Sequence, residues 1–331
     1  MARVATAADI EWLASADAEA DDFLEVQEAN DPFQRLYVLP GPYGQPIAAA
    51  SLLMEPKCLR AAMTCCHICE VLRDATRATA ATREALLQSV LEIARGEGCY
   101  KAIMDAPPAD VPLLRACGFE PNSLTMGLSL VPKMLPPEED GFSNYESVTP
   151  KELACAKHTY TLRPLHESDE YVDYIALLSQ LSQAPAIGES TFMRQLGKFR
   201  KADGRHLVLV VDRPGGRPSK PLLHQPPALI GSITLLFEWL PPSNGLGRIV
   251  MRIEDVVVDA SARGTGLGRA LIAAAIEIGV ERGAHAATLN CSEANEPFYT
   301  KCGFERAPGG LHCWAKYLMV TRVSSHTDEY R

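Results

Sequence analysis

The order of hydrophobic and polar positions predicts strands and helices in alternation along the chain. Three continuous apolar runs are typical of buried strands. They lie at 47–54, 207–211 and 228–237. From 268 to 282 apolar residues recur every three or four positions, which predicts an amphipathic helix. Its apolar face consists of Leu271, Ile272, Ala275, Ile276 and Gly279. A strand at 286–291 and a short helix at 296–302 follow, so we expect an α/β fold.

The chain also contains an internal repeat. Ala116-Cys117-Gly118-Phe119-Glu120 returns as Lys301-Cys302-Gly303-Phe304-Glu305, an offset of 185 residues (303 minus 118). Further identities occur at the same offset. They pair Ile68 with Ile253, Asp74-Ala75 with Asp259-Ala260, Glu92-Ile93 with Glu277-Ile278, and Gly98 with Gly283. Matches spread from 68 to 118 at one offset indicate two homologous domains.

Prolines and acidic residues mark the boundary between the two units. Pro132 and the run Pro136-Pro137-Glu138-Glu139-Asp140 are typical of a linker. The expected divisions are a first unit at 1–130, a linker at 131–158, a second unit at 159–320 and a tail at 321–331. Two Pro-rich inserts, at 213–227 and 240–247, are expected to be surface loops.

Composition narrows the class of protein. The 331 residues are 47% hydrophobic and 22% charged, which suits a globular protein with a real core. Acidic residues outnumber basic ones, 41 to 32, and the net charge of −9 argues against general nucleic-acid binding. No apolar stretch reaches the length of a membrane span or signal peptide, and the C-terminal Glu329-Tyr330-Arg331 matches no short targeting address, so we expect a cytoplasmic protein without membrane contact.

The cysteines predict neither disulfides nor a metal. The ten cysteines lie mostly within apolar runs, so we expect reduced thiols. Cys65, Cys66 and Cys69 lack a second pair of ligands at metal spacing, so no metal site is expected.

A glycine-rich loop precedes the amphipathic helix. The segment Arg263-Gly264-Thr265-Gly266-Leu267-Gly268-Arg269 follows the strand end Val256-Val257-Val258. Glycines at a helix N-terminus let backbone N–H groups approach a pyrophosphate, where the helix dipole favours negative charge. The spacing matches neither a P-loop nor a dinucleotide-binding fingerprint.

With this loop the second unit resembles the GNAT superfamily of acetyl-CoA-dependent N-acetyltransferases, whose motif is Q/R-x-x-G-x-G/A. The stretches 252–258 and 291–304 resemble the members that acetylate amino-sugar phosphates. The resemblance covers about 160–318. It implies two fused GNAT-type units, each a mixed twisted sheet flanked by helices, and acetyl transfer to the 2-amine of D-glucosamine 6-phosphate for UDP-N-acetylglucosamine synthesis.

The resemblance also implies site residues. Those expected to bind acetyl-CoA are Val256, Val257, Val258, Arg263, Gly264, Thr265, Gly266, Leu267, Gly268, Arg269, Asn295 and Tyr299. Tyr299 is also expected to protonate the leaving thiolate, the alternative being a core tyrosine; for Asn295 the alternative is helix capping. The family's usual Leu-Asp-Cys is Leu289-Asn290-Cys291 here, so any proton acceptor at Asn290 is its backbone carbonyl or water.

Glu254 and Asp255 are implied to mark the acceptor site, Glu254 by its side chain and Asp255 partly by its backbone. As neighbours on a strand, they are expected to point to opposite faces.

The first unit resembles a degenerate copy. At the positions of the glycine loop it has Ala78-Thr79-Ala80-Ala81-Thr82-Arg83, and Leu114 stands at the position of Tyr299. Tyr100 and Lys101 resemble the family segment that reaches the acceptor phosphate across a dimer interface, whereas the second unit has His285-Ala286 there. We therefore expect an intramolecular pseudo-dimer, able to act as a monomer, whose first unit completes the site of the second. The alternative is that Tyr100 and Lys101 are an ordinary strand residue and a solvated charge.

Two other functions stay open at this point. One is acetyl transfer to another small amine or to a protein amine. The other is a non-catalytic acyl-CoA-binding module.

Overall fold

The fold is described from a computed structural model. The residues it describes are 1–6, 8–9, 33–58, 62–71, 79–129, 145, 148–155, 158–169, 171–182, 187–202, 204–214, 228–240, 248–307 and 310–317. Most of the predicted linker, both Pro-rich inserts except their first or last residues, Ala78 and the tail lie outside these ranges. No helix among the described residues is long and apolar enough to cross a membrane.

Strands and helices alternate through both halves. The strands are β1 Arg3–Val4, β2 Gln34–Pro40, β3 Pro46–Pro56, β4 Thr64–Val71, β5 Cys99–Ala106, β6 Glu120–Ser129, β7 Lys151–Cys155, β8 His158–Pro164, β9 His206–Asp212, β10 Leu229–Leu240, β11 Arg248–Val258, β12 Ala284–Cys291, β13 Glu305–Arg306 and β14 His312–Tyr317. The helices are α1 Ala80–Gly96, α2 Val111–Ala116, α3 Tyr171–Leu178, α4 Glu189–Arg200, α5 Leu267–Glu281 and α6 Glu296–Thr300.

The described strands form one continuous sheet. Its order is β1-β2-β3-β4-β5-β14-β6-β12-β11-β10-β9-β8-β7, with β13 paired to β6. Only β4 with β5 and β11 with β12 pair in parallel in this part of the chain, and the other pairs are antiparallel. The predicted mixed α/β class is confirmed, with the sheets of the two halves joined edge to edge.

The two halves exchange their last strands. β6, from the first half, lies between β14 and β12 of the second. β14, from the second half, lies between β5 and β6 of the first. A central strand needs a hydrogen-bonded neighbour on both edges to pair its backbone groups. Each half therefore depends on a strand from the other half to complete its sheet.

Each half has its own core beneath one long helix. In the first half α1 buries Leu86, Leu87, Val90 and Leu91 against β3 and β5. In the second half α5 buries Leu271, Ile272, Ala275 and Gly279, while Ile276 is only partly buried.

The predicted elements of the second half are confirmed to within a few residues. The helix expected at 268–282 is α5, the strand expected at 286–291 is β12 and the short helix expected at 296–302 is α6. Residues 151–155, inside the segment predicted as a linker, form β7 and pair with β8. All ten cysteines are free thiols.

Candidate functional site

The site begins where two parallel strands part. β11 and β12 pair only as far as Ile253 and Leu289. Val256, Val257 and Val258 lie beyond this point, in a fully described part of the chain, and β11 keeps only its ladder with β10 there. The edge of β11 that faces β12 therefore has backbone groups without a strand partner at these three residues, in the described structure.

The glycine loop presents an open backbone surface. Gly264 and Gly266 have φ of +77° and +92°, in the left-handed region that favours glycine. A Cβ at either position would have no atom within 4 Å, so nothing covers the loop there. Gly266 is the N-cap of α5 and has no side chain, and the Leu267 N–H donates to the Thr265 hydroxyl at 3.4 Å. The N–H groups of Gly268 and Arg269, next in the first turn, can donate to an anion such as a pyrophosphate.

The side chains of the loop hold its shape. The Thr265 hydroxyl donates to the Ala262 carbonyl at 2.7 Å. The Arg263 Nε donates to the Val258 carbonyl at 3.1 Å, so this arginine ties the loop back to β11. Arg269, in the first turn of α5, is exposed. The loop thus has a defined conformation without any bound molecule.

Tyr299 combines a packed ring with an unpartnered hydroxyl. The residue, on α6, is 9% exposed, and its ring packs edge-on against Phe298 and Phe304. Among the described residues its hydroxyl has no hydrogen-bond partner. Burial, with smaller effects from Cys291 and Glu254, raises the pKa of Tyr299 well above its ordinary value. The phenol therefore keeps its proton at neutral pH and can donate it.

Two asparagines lie near this tyrosine in sequence. Asn290 is on β12 opposite Thr125 of β6, and its side-chain oxygen is buried without a hydrogen bond in the described structure. Asn295 is exposed and makes no capping hydrogen bond to α6, so the helix-capping alternative for it is wrong.

Glu254 and Asp255 face the same cation rather than opposite faces of β11. Asp255 has φ +48°, and the ladder between β10 and β11 shifts register there. This bulge redirects the Asp255 side chain. The Lys57 Nζ lies 3.0 Å from Asp255 Oδ2 and 4.0 Å from Glu254 Oε2. The expected alternation is therefore wrong, because it holds only for a regular strand.

Lys57 comes from the first half and was missed by sequence reasoning. It follows β3 directly, and its Nζ is also 2.5 Å from Glu55 Oε1. The available signal was a single lysine immediately after a long apolar strand. Burial raises the pKa of both Glu254 and Asp255, and Lys57 opposes that rise.

The same region contains two more buried pairs, one from each half. Glu55 Oε2 lies 3.0 Å from His67 Nε2, and Glu238 Oε2 accepts from Arg252 Nε at 3.0 Å. Arg252 also donates to Asp105 of β5 at 2.8 Å, which joins the halves. Burial, followed by Arg252, lowers the pKa of His67 to about 4, so this imidazole is neutral at physiological pH.

The structure brings Tyr100 to this cluster. Its ring packs against Cys65 and Ile103. Burial raises the pKa of Tyr100 far above its ordinary value; the nearby Cys65, Glu55 and Asp255 add to the rise, and Lys57 opposes it. Lys101 lies next along β5 and pairs with Cys65 in the ladder with β4.

The corresponding position of the first half is occupied by side chains. Thr79, the N-cap of α1, accepts from the Thr82 N–H at 3.2 Å, whereas the N-cap of α5 is Gly266, which has no side chain. At the position of Gly268, Arg83 forms ion pairs with Glu70 at 2.5 Å and Asp110 at 2.7 Å. These side chains line a cavity of about 1020 Å³ between the halves.

One group of side chains has donors suited to a metal. Glu55, Cys65 and His67 place their donor atoms within 4.8 Å of one another. The Glu55 carboxylate already contacts Lys57 and His67, and an ammonium at 2.5 Å disfavours a dication at the same carboxylate. Burial also raises the pKa of the Cys65 thiol, so it carries its proton. The contacts fit a hydrogen-bonded ion network.

Comparison with known proteins gives consistent matches. The model of the Acetyltransferase (GNAT) family matches residues 188–304. Glucosamine 6-phosphate N-acetyltransferase 1 of Oryza sativa subsp. japonica is 33% identical over 146 residues, which is 44% of this chain and 81% of that protein. Glucosamine 6-phosphate N-acetyltransferase of Trypanosoma brucei brucei is 38% identical over 146 residues, 43% of this chain and 87% of that protein.

Solved structures that match nearly the whole chain are also found. The GCN5-related N-acetyltransferase from Sphaerobacter thermophilus has a TM-score of 0.50 at 16% identity and covers 96% of this chain and 95% of its own. At this identity the match supports the fold alone.

Proposed function

The chain belongs to the GNAT family and is an acetyl-CoA-dependent N-acetyltransferase, and from this we propose that its acceptor is the 2-amine of D-glucosamine 6-phosphate. The observation that carries the proposal is the partly buried carboxylate pair of Glu254 and Asp255 at the end of β11 that has parted from β12. Two relatives named for this substrate, which this chain covers over more than four fifths of their lengths, support it.

We expect one acetyl-CoA per chain, because the N-termini of α5 and α1 differ. Acetyl-CoA supplies the acetyl thioester. The N–H groups after Gly264 and Gly266 and the exposed Arg269 suit its pyrophosphate, whereas α1 is capped by Thr79 and Arg83 occupies the corresponding position. The first half is therefore proposed to serve the reaction without holding acetyl-CoA.

Different residues of the site are proposed to serve different steps of the acetyl transfer. Glu254 and Asp255 form a negative pocket that attracts and orients the amino group of the sugar. The ammonium form loses a proton to water, held by the backbone carbonyl of Asn290, and the free amine then attacks the thioester carbonyl as the C–S bond breaks. The open N–H groups of β11 suit the developing oxyanion. Tyr299, protonated at neutral pH, donates to the leaving thiolate.

The first half is proposed to complete this site. Tyr100 lies against the same cluster as Asp255, and Lys101 supplies a cation for the sugar phosphate. The exchange of β6 and β14 is what a fused dimer with swapped strands would have, so we propose an intramolecular pseudo-dimer active as a monomer.

The test is thiol release from acetyl-CoA over a panel of amino sugars, each with and without a 6-phosphate. We expect turnover of glucosamine 6-phosphate to exceed that of every other acceptor. Faster turnover of a peptide amine or a non-phosphorylated amine would refute the proposed acceptor, and no turnover of any amine would refute an acetyltransferase acting on small amines.

A further inference from the structure

Lys57 occupies an unusual position for a lysine. It is 8% exposed, yet its ammonium contacts carboxylates from both halves: Glu55 at 2.5 Å, Asp255 at 3.0 Å and Glu254 at 4.0 Å. Burial lowers the pKa of Lys57, but Asp255, Glu55 and Glu254 together raise it well above the ordinary value. The side chain is therefore a permanent cation inside the protein.

The backbone of Lys57 is held in place from two sides. Its N–H donates to the Met63 carbonyl at 3.0 Å. Its carbonyl accepts from the Gln195 side chain of α4 at 3.2 Å, a contact from the second half. These two hydrogen bonds fix the backbone from which the Lys57 side chain reaches the carboxylates of Glu254 and Asp255.

The conformation of Asp255 needs such a contact. Its φ of +48° is one that residues with a Cβ adopt rarely and keep only where the surroundings fix it. The hydrogen bond from Lys57 to Asp255 Oδ2 is the side-chain contact of Asp255 in the described structure. Holding this side chain fixes the bulge and turns both carboxylates toward one point.

Lys57 also balances the charge. Among the described residues it is the one lysine or arginine within 4.0 Å of Glu55, Glu254 or Asp255. His67, which also contacts Glu55, is neutral near pH 7. Further out, Arg252 is engaged by Glu238 and Asp105. Without the ammonium, the three carboxylates would repel one another, and the pKa of Glu254 and of Asp255, which burial already raises, would rise further.

We propose that Lys57 is a positioning residue of the acceptor site, acting through Asp255 and Glu254, so that the first half sets the geometry and ionisation of carboxylates in the second. This inference rests on the proposed function, since it assigns Lys57 to the site that holds the amine. Lys57 itself does not have to touch the acceptor.

The experiment compares Lys57→Met with Lys151→Met in the full chain. Lys151 is a matched control, because it also contacts two carboxylates, those of Glu277 and Glu281. Both of these carboxylates are exposed at the surface and neither belongs to the acceptor site. We expect Lys57→Met to raise the KM for glucosamine 6-phosphate at least tenfold and to leave acetyl-CoA affinity by isothermal titration unchanged. The acidic limb of its kcat/KM profile should move to higher pH by about one unit or more, because the carboxylates lose the cation that favours their charged form.

A double-mutant cycle tests the route of action. If Lys57 acts through Asp255, adding Lys57→Met to Asp255→Asn should change KM far less than adding it to the wild type. Additive effects, or an unchanged pH profile in folded Lys57→Met, would overturn the inference. If Lys57→Met does not fold, Lys57→Met/Glu55→Gln removes one carboxylate with the ammonium and carries the same expectations.

A readout without catalysis separates this inference from the proposed function. Removing Lys57 raises the folded-state pKa of Glu254 and Asp255 further above their unfolded values. A carboxylate with a raised folded-state pKa makes the folded protein less stable as pH rises. The stability gap between wild type and Lys57→Met should therefore widen from pH 5 to pH 8. A gap independent of pH refutes the pairing. If glucosamine 6-phosphate is not acetylated but the gap widens, the acceptor assignment fails and the ionisation role of Lys57 stands.

Discussion

Arg252 offers a direct test of how strongly the two halves are coupled. It lies on β11, is 9% exposed, and its guanidinium donates to Glu238 of the second half at 3.0 Å and to Asp105 of the first at 2.8 Å. Glu238 is fully buried, and the other Asp105 oxygen accepts from Thr125 at 2.8 Å. Arg252→Met keeps much of the aliphatic volume but leaves two carboxylates without their cation.

The expected cost follows from that geometry. Removing one partner of a buried ion pair costs about 3–5 kcal/mol, because the remaining charge is left desolvated and unpaired. Unfolding entropy of about 2.1 cal/mol/K per residue, over 331 residues, gives about 0.7 kcal/mol/K. If the halves unfold together, Tm should therefore fall by about 4–7 °C.

The assay is thermal unfolding of the full chain followed by far-UV circular dichroism, with Arg306→Met as control. Arg306 makes an equally close two-pronged contact with Glu296, but 61% of its side chain is exposed. Surface pairs contribute little, so the control should barely move Tm. A shift in Arg252→Met no larger than in the control would refute the reasoning. Two separate transitions in the wild type would refute the coupling of the halves.

Three further predictions concern the site. Isothermal titration should give one acetyl-CoA per chain, since α5 starts directly behind the glycine loop with Gly266 as its N-cap, whereas α1 starts at the Thr79 side-chain cap; two equivalent sites would contradict this. Tyr299→Phe should lower kcat by about 10²- to 10⁴-fold with little change in acetyl-CoA affinity, measured by steady-state kinetics and titration; an unchanged kcat, with chemistry rate-limiting, would make the phenol structural. Lys101→Ala should raise the KM for glucosamine 6-phosphate by about one to two decades and erase the preference over glucosamine; a surviving preference in folded protein excludes this contact.

Local features of the second half could be predicted because they depend on nearby sequence. The period of apolar residues placed α5, and the glycines of the loop placed the uncapped helix start. The repeat also indicated two related halves. The first two signals are short in range, and the structure changes the boundaries of those elements only by a few residues.

The bulge at Asp255 and the role of Lys57 could not be predicted in this way. Asp255 has no glycine or proline next to it to announce a positive φ, so a regular strand was the natural expectation for Glu254 and Asp255. Lys57 and Asp255 are 198 positions apart, and only the fold of both halves brings them to 3.0 Å. Contacts of that kind depend on strand order, which local pattern does not specify.

The strand exchange gives a physical reason why the second half depends on the first. β12 carries Asn290, and its edge away from β11 is covered by β6 of the first half. Beyond Leu289 the edge toward β11 is open for the ligand, so β6 is the neighbour that fixes the last part of β12. The ladder between β6 and β12, the Lys57–Asp255 contact and the Arg252–Asp105 pair do not depend on anion binding at the N-terminus of α1. The second half therefore needs the strands and side chains of the first half, whether or not the first half binds a cofactor.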